Sequence, residues 1–232
     1  MKKEELPDFA RKTLKHLLRK DGEVIYSAHH TLQKGDIYLL GLNPGGVGYV
    51  AIDDHIDGML QRKTNSFIDE SWIQKHKKWG PGEAPLQQRV KYLLTALGYS
   101  TEDVCASNLI FQTTPNVDEL CFGLAGVCWP FHEAVIEIIK PKLLLTFGNS
   151  EVSPYSFVKA LFGGDELTIC AEHGKLLWKG FRTVINGHEL FVAGLPHMSR
   201  YDPKGKPQLI QWLKVNSGRL GDVVGLPGVA SN

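Results

Sequence analysis

Two asparagines and a histidine stand where an α/β protein keeps its chemistry. Asn43 lies in the turn Gly41-Leu42-Asn43-Pro44-Gly45-Gly46, reached directly from the apolar run Ile37-Tyr38-Leu39-Leu40. An apolar run that ends in a Gly/Pro-rich turn reads as a buried strand opening onto a backbone-lined pocket. Three further runs end comparably, at Asn108 in Ser107-Asn108-Leu109-Ile110-Phe111, at Gly148-Asn149, and at His197 in Pro196-His197-Met198-Ser199. Open α/β sheets bind ligands at the carboxyl ends of their strands, so these side chains are expected along one edge. A carboxamide offers a donor beside an acceptor, which suits the edge of a nucleobase. A histidine suits an oxygen that becomes anionic as a bond breaks. No carboxylate, cysteine or serine–histidine pair stands among the four ends, which argues against metal-assisted hydrolysis and acyl transfer.

The elements that must position these groups follow from periodicity and turn signals. Helical spacing predicts helices over Leu6–Arg19, Pro85–Leu97, Phe122–Ile139, Tyr155–Phe162 and Pro207–Val215. Strands are expected at Ile37–Leu42, Asp103–Phe111 and Lys142–Phe147. Phe181–Ile185 and Glu189–Gly194 flank Asn186-Gly187, a type I′ hairpin signal. The stretch from Asp53 to Trp79 reads as short helices and loops, and Asn149 as a cap for the helix beginning near Ser153. Strands alternating with helices predict a three-layer α/β/α sandwich with a mostly parallel central sheet of four main strands. Residues 1–216 are expected to form one domain, and the Gly-rich 217–232 a weakly ordered tail.

Bulk properties narrow the class. A chain of 232 residues with 43% hydrophobic content can bury a full core. A formal net charge of +1 excludes a strongly basic nucleic-acid binder but allows a local basic rim. The N-terminal Met1-Lys2-Lys3-Glu4-Glu5 has no apolar segment behind it, so a secretory signal is not expected and the cytoplasm is the expected location. No run reaches the roughly 20 apolar residues of a membrane span. The four cysteines lack C-x-x-C spacing and read as reduced thiols. The histidines lack metal-ligand spacing, so no metal and no cofactor is expected.

The turn Gly41-Leu42-Asn43-Pro44-Gly45, with His197-Met198-Ser199 after the last strand, resembles the uracil-DNA glycosylase superfamily. Within it the chain looks most like the single-strand-selective monofunctional branch, then the mismatch-specific uracil/thymine branch. Those branches carry Gly-Met-Asn-Pro-Gly or Gly-Ile-Asn-Pro-Gly in the first motif, and His-Pro-Ser or Asn-Pro-Ser in the second. Here Met198 stands where the family has proline, and Pro196 precedes the histidine. The resemblance spans roughly Asp36 to Trp212.

The resemblance implies a monofunctional DNA glycosylase, acting as a monomer on uracil or a related deaminated base flipped out of DNA. Asn43 would position the attacking water, and His197 would stabilise charge developing on uracil O2. Asn108 would read the O4 and N3 edge, in a pocket that includes Leu42. Phe111 and Tyr49 are both candidates to stack on the base. Gly45, Gly46, Met198, Ser199, Arg200, Tyr201 and Lys204 would contact DNA, with Met198 or Tyr201 as the wedge that fills the gap left by the extruded base. A superfamily scaffold that binds nucleic acid or a nucleotide without cleaving it is the alternative.

Overall fold

The computed structural model describes residues 1–45, 50–74 and 77–218. In chain order its regular elements are α1 (Leu6–Thr13), β1 (Ile37–Gly41), α2 (Ile52–Gly58), β2 (Ser71–Gln74), β3 (Lys77–Pro81), α3 (Pro85–Leu97) and β4 (Cys105–Asn108). There follow α4 (Leu124–Ile139), β5 (Leu143–Phe147), α5 (Pro154–Phe162), β6 (Leu167–Cys170), β7 (Leu177–Ile185), β8 (His188–Leu195) and α6 (Pro207–Asn216). The central sheet has six strands in the order β4-β1-β5-β8-β7-β6. β4, β1, β5 and β8 run parallel, and β7 and β6 are added by antiparallel pairing.

Alternation of side chains places a core on each face. The register row Cys105, Tyr38, Leu144 and Val192 belongs to a cluster with Leu6 and Ala10 of α1, Phe131 and Val135 of α4, and Val158 of α5. The next row, Ala106, Leu39, Leu145 and Ala193, belongs to a second cluster with Leu93 and Leu94 of α3 and Leu209 and Leu213 of α6. Strands apolar on both faces, with helices covering each, are what the near-continuous Leu143-Leu144-Leu145 run requires.

Several expectations change in detail. The sheet has six strands rather than four, because Leu167–Cys170 forms an exposed edge strand too short and mixed to show alternation. The polar stretch from Asp53 contains α2 and a two-stranded antiparallel sheet, β2–β3. Its lysines concealed that alternation; Lys77 Nζ sits 3.8 Å from the Trp79 ring centre. α1 ends at Thr13, and the following turns still bury Leu14 and Leu17. The second strand is confined to Cys105–Asn108, since residues 101–103 form a 3-10 turn. The hairpin holds as expected: Asn186 and Gly187 have φ of +50° and +76°, both residues in the left-handed region that a type I′ turn needs. Residues 219–232 of the expected tail lie outside the described residues.

His132 of α4 is fully buried and hydrogen-bonded at both nitrogens. Nε2 donates to Leu109 O at 3.1 Å, and Nδ1 accepts from Tyr38 Oη at 2.8 Å. Burial lowers its pKa to about 4, so the ring is neutral. A base whose folded pKa lies below its unfolded value of 6.5 destabilises the fold as pH falls from 6.5 towards 4. Urea unfolding should therefore lose on the order of 3 kcal/mol of stability across that window. A His132→Gln chain, with no titrating ring there, should lack this component of the loss.

Among the described residues no helix is long and apolar enough to cross a membrane. All four cysteines are free, Cys105 and Cys128 buried and Cys121 and Cys170 exposed.

Candidate active site

Register aligns the four strand ends. Asn108 pairs with Gly41, and Phe147 pairs with Leu195, so the loops after β4, β1, β5 and β8 leave one edge of the sheet. Along that edge the order is Asn108, Asn43, Asn149, His197. Strand spacing puts the axes of β4 and β8 about 14 Å apart, so Asn108 and His197 stand at the two ends of this row, and the strip between them is the candidate slot. Asn43 and Asn149 lie between them.

Each member of this row is held differently. Asn43 is half-buried and its Nδ2 donates to Pro44 O at 3.0 Å and to Thr114 Oγ1 at 2.9 Å. With Nδ2 turned into the protein, the acceptor it can offer a water is Oδ1. Gly45 forms a parallel bridge with Thr114, and Leu42 is half-buried against the first core cluster. Asn108 is 4% exposed. Its Nδ2 donates to Tyr26 Oη, and its Oδ1 lies so close to Gly41 that a Cβ there would fall 2.1 Å from it. Glycine at the end of β1 is therefore what leaves room for the Asn108 amide. The Ser107 hydroxyl donates to Val24 O at 2.6 Å and secures the same strand end from the other side.

His197 is exposed at the rim, and its ring is fixed by Ser199, whose N–H donates to Nδ1 at 3.2 Å and whose hydroxyl lies 2.7 Å from it. Nδ1 is therefore an acceptor and the proton of the neutral ring sits on Nε2. Crowding by protein atoms, and then the Arg200 guanidinium, lower its pKa from 6.5. A neutral imidazole with Nε2–H outward can donate one hydrogen bond to a developing anion.

The remaining expectations divide. Arg200 and Lys204 are exposed on the loop after β8, and Ser199 is half-buried. Met198 and Tyr201 are fully buried in the second core cluster, so neither serves as a wedge. The Tyr201 hydroxyl accepts from Trp178 Nε1 at 2.8 Å, and Met198 O accepts from Arg89 Nη1 at 2.7 Å; together they pin the loop onto the core. Phe111 is fully buried edge-on to Phe131 with ring centres 5.1 Å apart, facing α4, which removes it as a stacking platform. Asn149 does not cap α5. Ser153 does, accepting from Ser156 N, while Asn149 Nδ2 ties the edge together by donating to Leu177 O at 2.7 Å and Gly194 O at 2.9 Å. Tyr49 and Gly46 lie outside the described residues.

No protein-family model matches this chain, and no curated protein matches it.

Sequence reasoning passed over two groups beside the slot. Segment 22–26 runs along the open side of β4, with Glu23 N donating to Phe111 O at 3.0 Å and Tyr26 N to Ala106 O at 2.8 Å. The apolar Val24-Ile25-Tyr26 was the available signal. From the same segment Glu23, only 5% exposed, meets Arg62 Nη1 at 2.7 Å and His55 Nε2 at 3.2 Å. Arg62 Nη2 also donates to Glu70 at 2.7 Å and to Ser66 Oγ at 2.8 Å. Burial raises the Glu23 pKa, against the lowering influence of His55 and Arg62. Among the described residues no group of three or more His, Cys, Asp or Glu is gathered for a metal ion.

Proposed function

We propose that this chain is a monofunctional DNA glycosylase that releases uracil or a related deaminated base. The observation that carries the reading is the placement of Asn43, Asn108 and a neutral His197 along one sheet edge, behind the turn Gly41-Leu42-Asn43-Pro44-Gly45. Helices on both faces of the sheet fit the three-layer α/β/α sandwich that the resemblance implies. In this reading the chain works as a cytoplasmic monomer with DNA as its partner and needs no cofactor.

The chemistry divides among the three residues. Asn108 reads the O4 and N3–H edge of the base. As the bond between N1 and C1′ breaks, its electron pair passes to the base, and His197 Nε2–H stabilises the charge appearing on O2. One preorganised donor of this kind contributes roughly 3–4 kcal/mol by analogy with oxyanion holes. Asn43 Oδ1 orients the water whose oxygen bonds to C1′, and the proton that water gives up neutralises the released base anion. No lysine stands among the strand-end groups to form a Schiff base, so the product is an intact abasic site.

The buried positions of Met198 and Tyr201 bear on the substrate. The loop after β8 offers the charges of Arg200 and Lys204 but no apolar plug, which favours bases already unpaired. Extrusion costs least for such bases. The test is incubation with single- and double-stranded oligonucleotides carrying one deaminated base, followed by alkaline cleavage. Abasic product, formed faster from single strands, is expected; no product from any deaminated base overturns the reading.

The basic loop gives a separate prediction. Exchanging Arg200 and Lys204 together for alanine should weaken single-strand binding and reduce the slope of log affinity against log salt by about 1.4, two released counterions at 0.7 each. An unaltered slope would show that the loop does not grip phosphate.

A further inference from the structure

The β2–β3 hairpin carries charge that the chemistry of the slot does not use. The stretch from Ser71 to Pro81 holds Lys75, Lys77 and Lys78 and no carboxylate. Lys77 and Lys78 are exposed, and among the described residues neither meets an acidic side chain. Both flanking acids are occupied, Glu70 by Arg62 and Ser66, and Glu83 by the Gly80 N–H at 3.2 Å. The contact of Lys77 Nζ with the Trp79 ring holds an ammonium in place without neutralising it. Ile73 stands opposite Lys78 across the ladder, so the two share a face, and Ile73 is 77% exposed.

The hairpin also stands beside the slot. Trp72 of β2 meets Phe67 with ring centres 5.8 Å apart, and Phe67 meets Tyr26 at 6.4 Å. The Tyr26 hydroxyl touches the Asn108 amide. Beyond β3 the chain enters α3 at Pro85, and Arg89 in the second turn of that helix donates to Met198 O in the loop after β8. Lys91 of α3 brings its ammonium to the foot of the hairpin, where a Cβ on Gly82 would stand 3.0 Å from Nζ. Hairpin and loop thus flank the amino end of α3. The hairpin reaches towards Asn108, and the loop carries His197, Arg200 and Lys204.

A single nucleic-acid strand offers a phosphate charge at every nucleotide and an open face on every base. Fixed ammonium groups beside an exposed apolar side chain match both. A duplex keeps its base faces stacked inside, and an acidic peptide has none to offer. We infer that the β2–β3 hairpin grips single-stranded DNA on the side of the slot opposite the β8 loop, so that one strand is held at both ends of the row while a base enters between them. DNA as the partner rests on the glycosylase reading above; the second grip is additional to it.

The test titrates an undamaged single-stranded oligonucleotide at several salt concentrations, read by fluorescence anisotropy. Lys77→Gln with Lys78→Gln should weaken binding and reduce the slope of log affinity against log salt by about 1.4, two released counterions at 0.7 each. Combined with the Arg200 and Lys204 replacements, the reduction should reach about 2.8, because separate grips add. Lys77→Arg with Lys78→Arg should keep the wild-type slope. Lys12→Gln with Lys15→Gln removes the same charge from exposed positions on the other face of the sheet and should also keep it. An unaltered slope in the Lys77 and Lys78 glutamine variant overturns the inference. So does an equal loss in the Lys12 and Lys15 control, or an oligoglutamate peptide that binds as tightly as the oligonucleotide. A chain that binds the strand through the hairpin but releases no base removes the glycosylase reading alone. A chain that releases uracil with an unaltered slope in the hairpin variant removes the grip alone.

Discussion

Replacing Asn43 with alanine should slow base release roughly 100- to 1,000-fold while DNA affinity stays within about two-fold of wild type, the pattern of a group that acts on the transition state. The Asn43 amide is oriented by Pro44 O and Thr114 Oγ1, so the substitution deletes a fixed water-holding acceptor and leaves the strand end in place. The Thr114 N–H donates to Pro44 O at 3.3 Å without involving the Asn43 side chain, which should keep the turn closed in the variant. Single-turnover kinetics with a uracil-containing single strand separates the two effects. A rate unchanged by Asn43→Ala would assign the residue to the turn alone.

The largest effect on stability is expected at Arg62. Its side chain is 14% exposed and neutralises Glu23, whose side chain is 7% exposed. Arg62→Met keeps much of the stem but leaves a buried carboxylate facing His55 and the like charge of Glu70, and should cost about 3–5 kcal/mol near pH 7.5. The sign with pH follows from Glu23. Burial already raises its folded pKa above 4.5, and losing Arg62 raises it further. Such a group contributes stability that is present below its unfolded pKa and is lost as pH rises through the folded one. The deficit of Arg62→Met relative to wild type should therefore shrink between pH 7.5 and pH 5 in urea unfolding. An equal deficit at both values would trace the cost to lost packing and not to charge.

How far the sequence led depended on what kind of signal each element carries. α3 was legible to the residue because Pro85 opens it and Gly98 closes it, both of them backbone rules that act locally. β1, β5 and the β7–β8 turn were legible for the same reason, through unbroken apolar runs and an Asn-Gly pair. The direction in which a side chain points is a tertiary property. Phe111, Met198 and Tyr201 each stand within a few residues of a strand end, and nothing local separates facing the slot from facing a helix layer. Packing decided it, since α4 covers Phe111 and α3 with α6 enclose Met198 and Tyr201. Tyr26 escaped notice for the complementary reason. It reaches Asn108 across 82 positions of chain from a segment that joins no ladder. Leu167–Cys170 was hidden because an edge strand exposed along its whole length has no face to alternate.

The order of strands also dictates when the slot can exist. Among the described residues only α6 follows β8 in sequence, yet β8 lies inside the sheet, between β5 and β7. A nascent polypeptide emerging from the ribosome can pair β4, β1 and β5, but the far wall of the slot waits for the strand that ends at Leu195. Parallel pairings between such distant segments close late, after much chain entropy has been surrendered. A ribosome-bound fragment lacking this strand would thus display Asn108, Asn43 and Asn149 without His197, so the site matures only once the strand ending at Leu195 has been made.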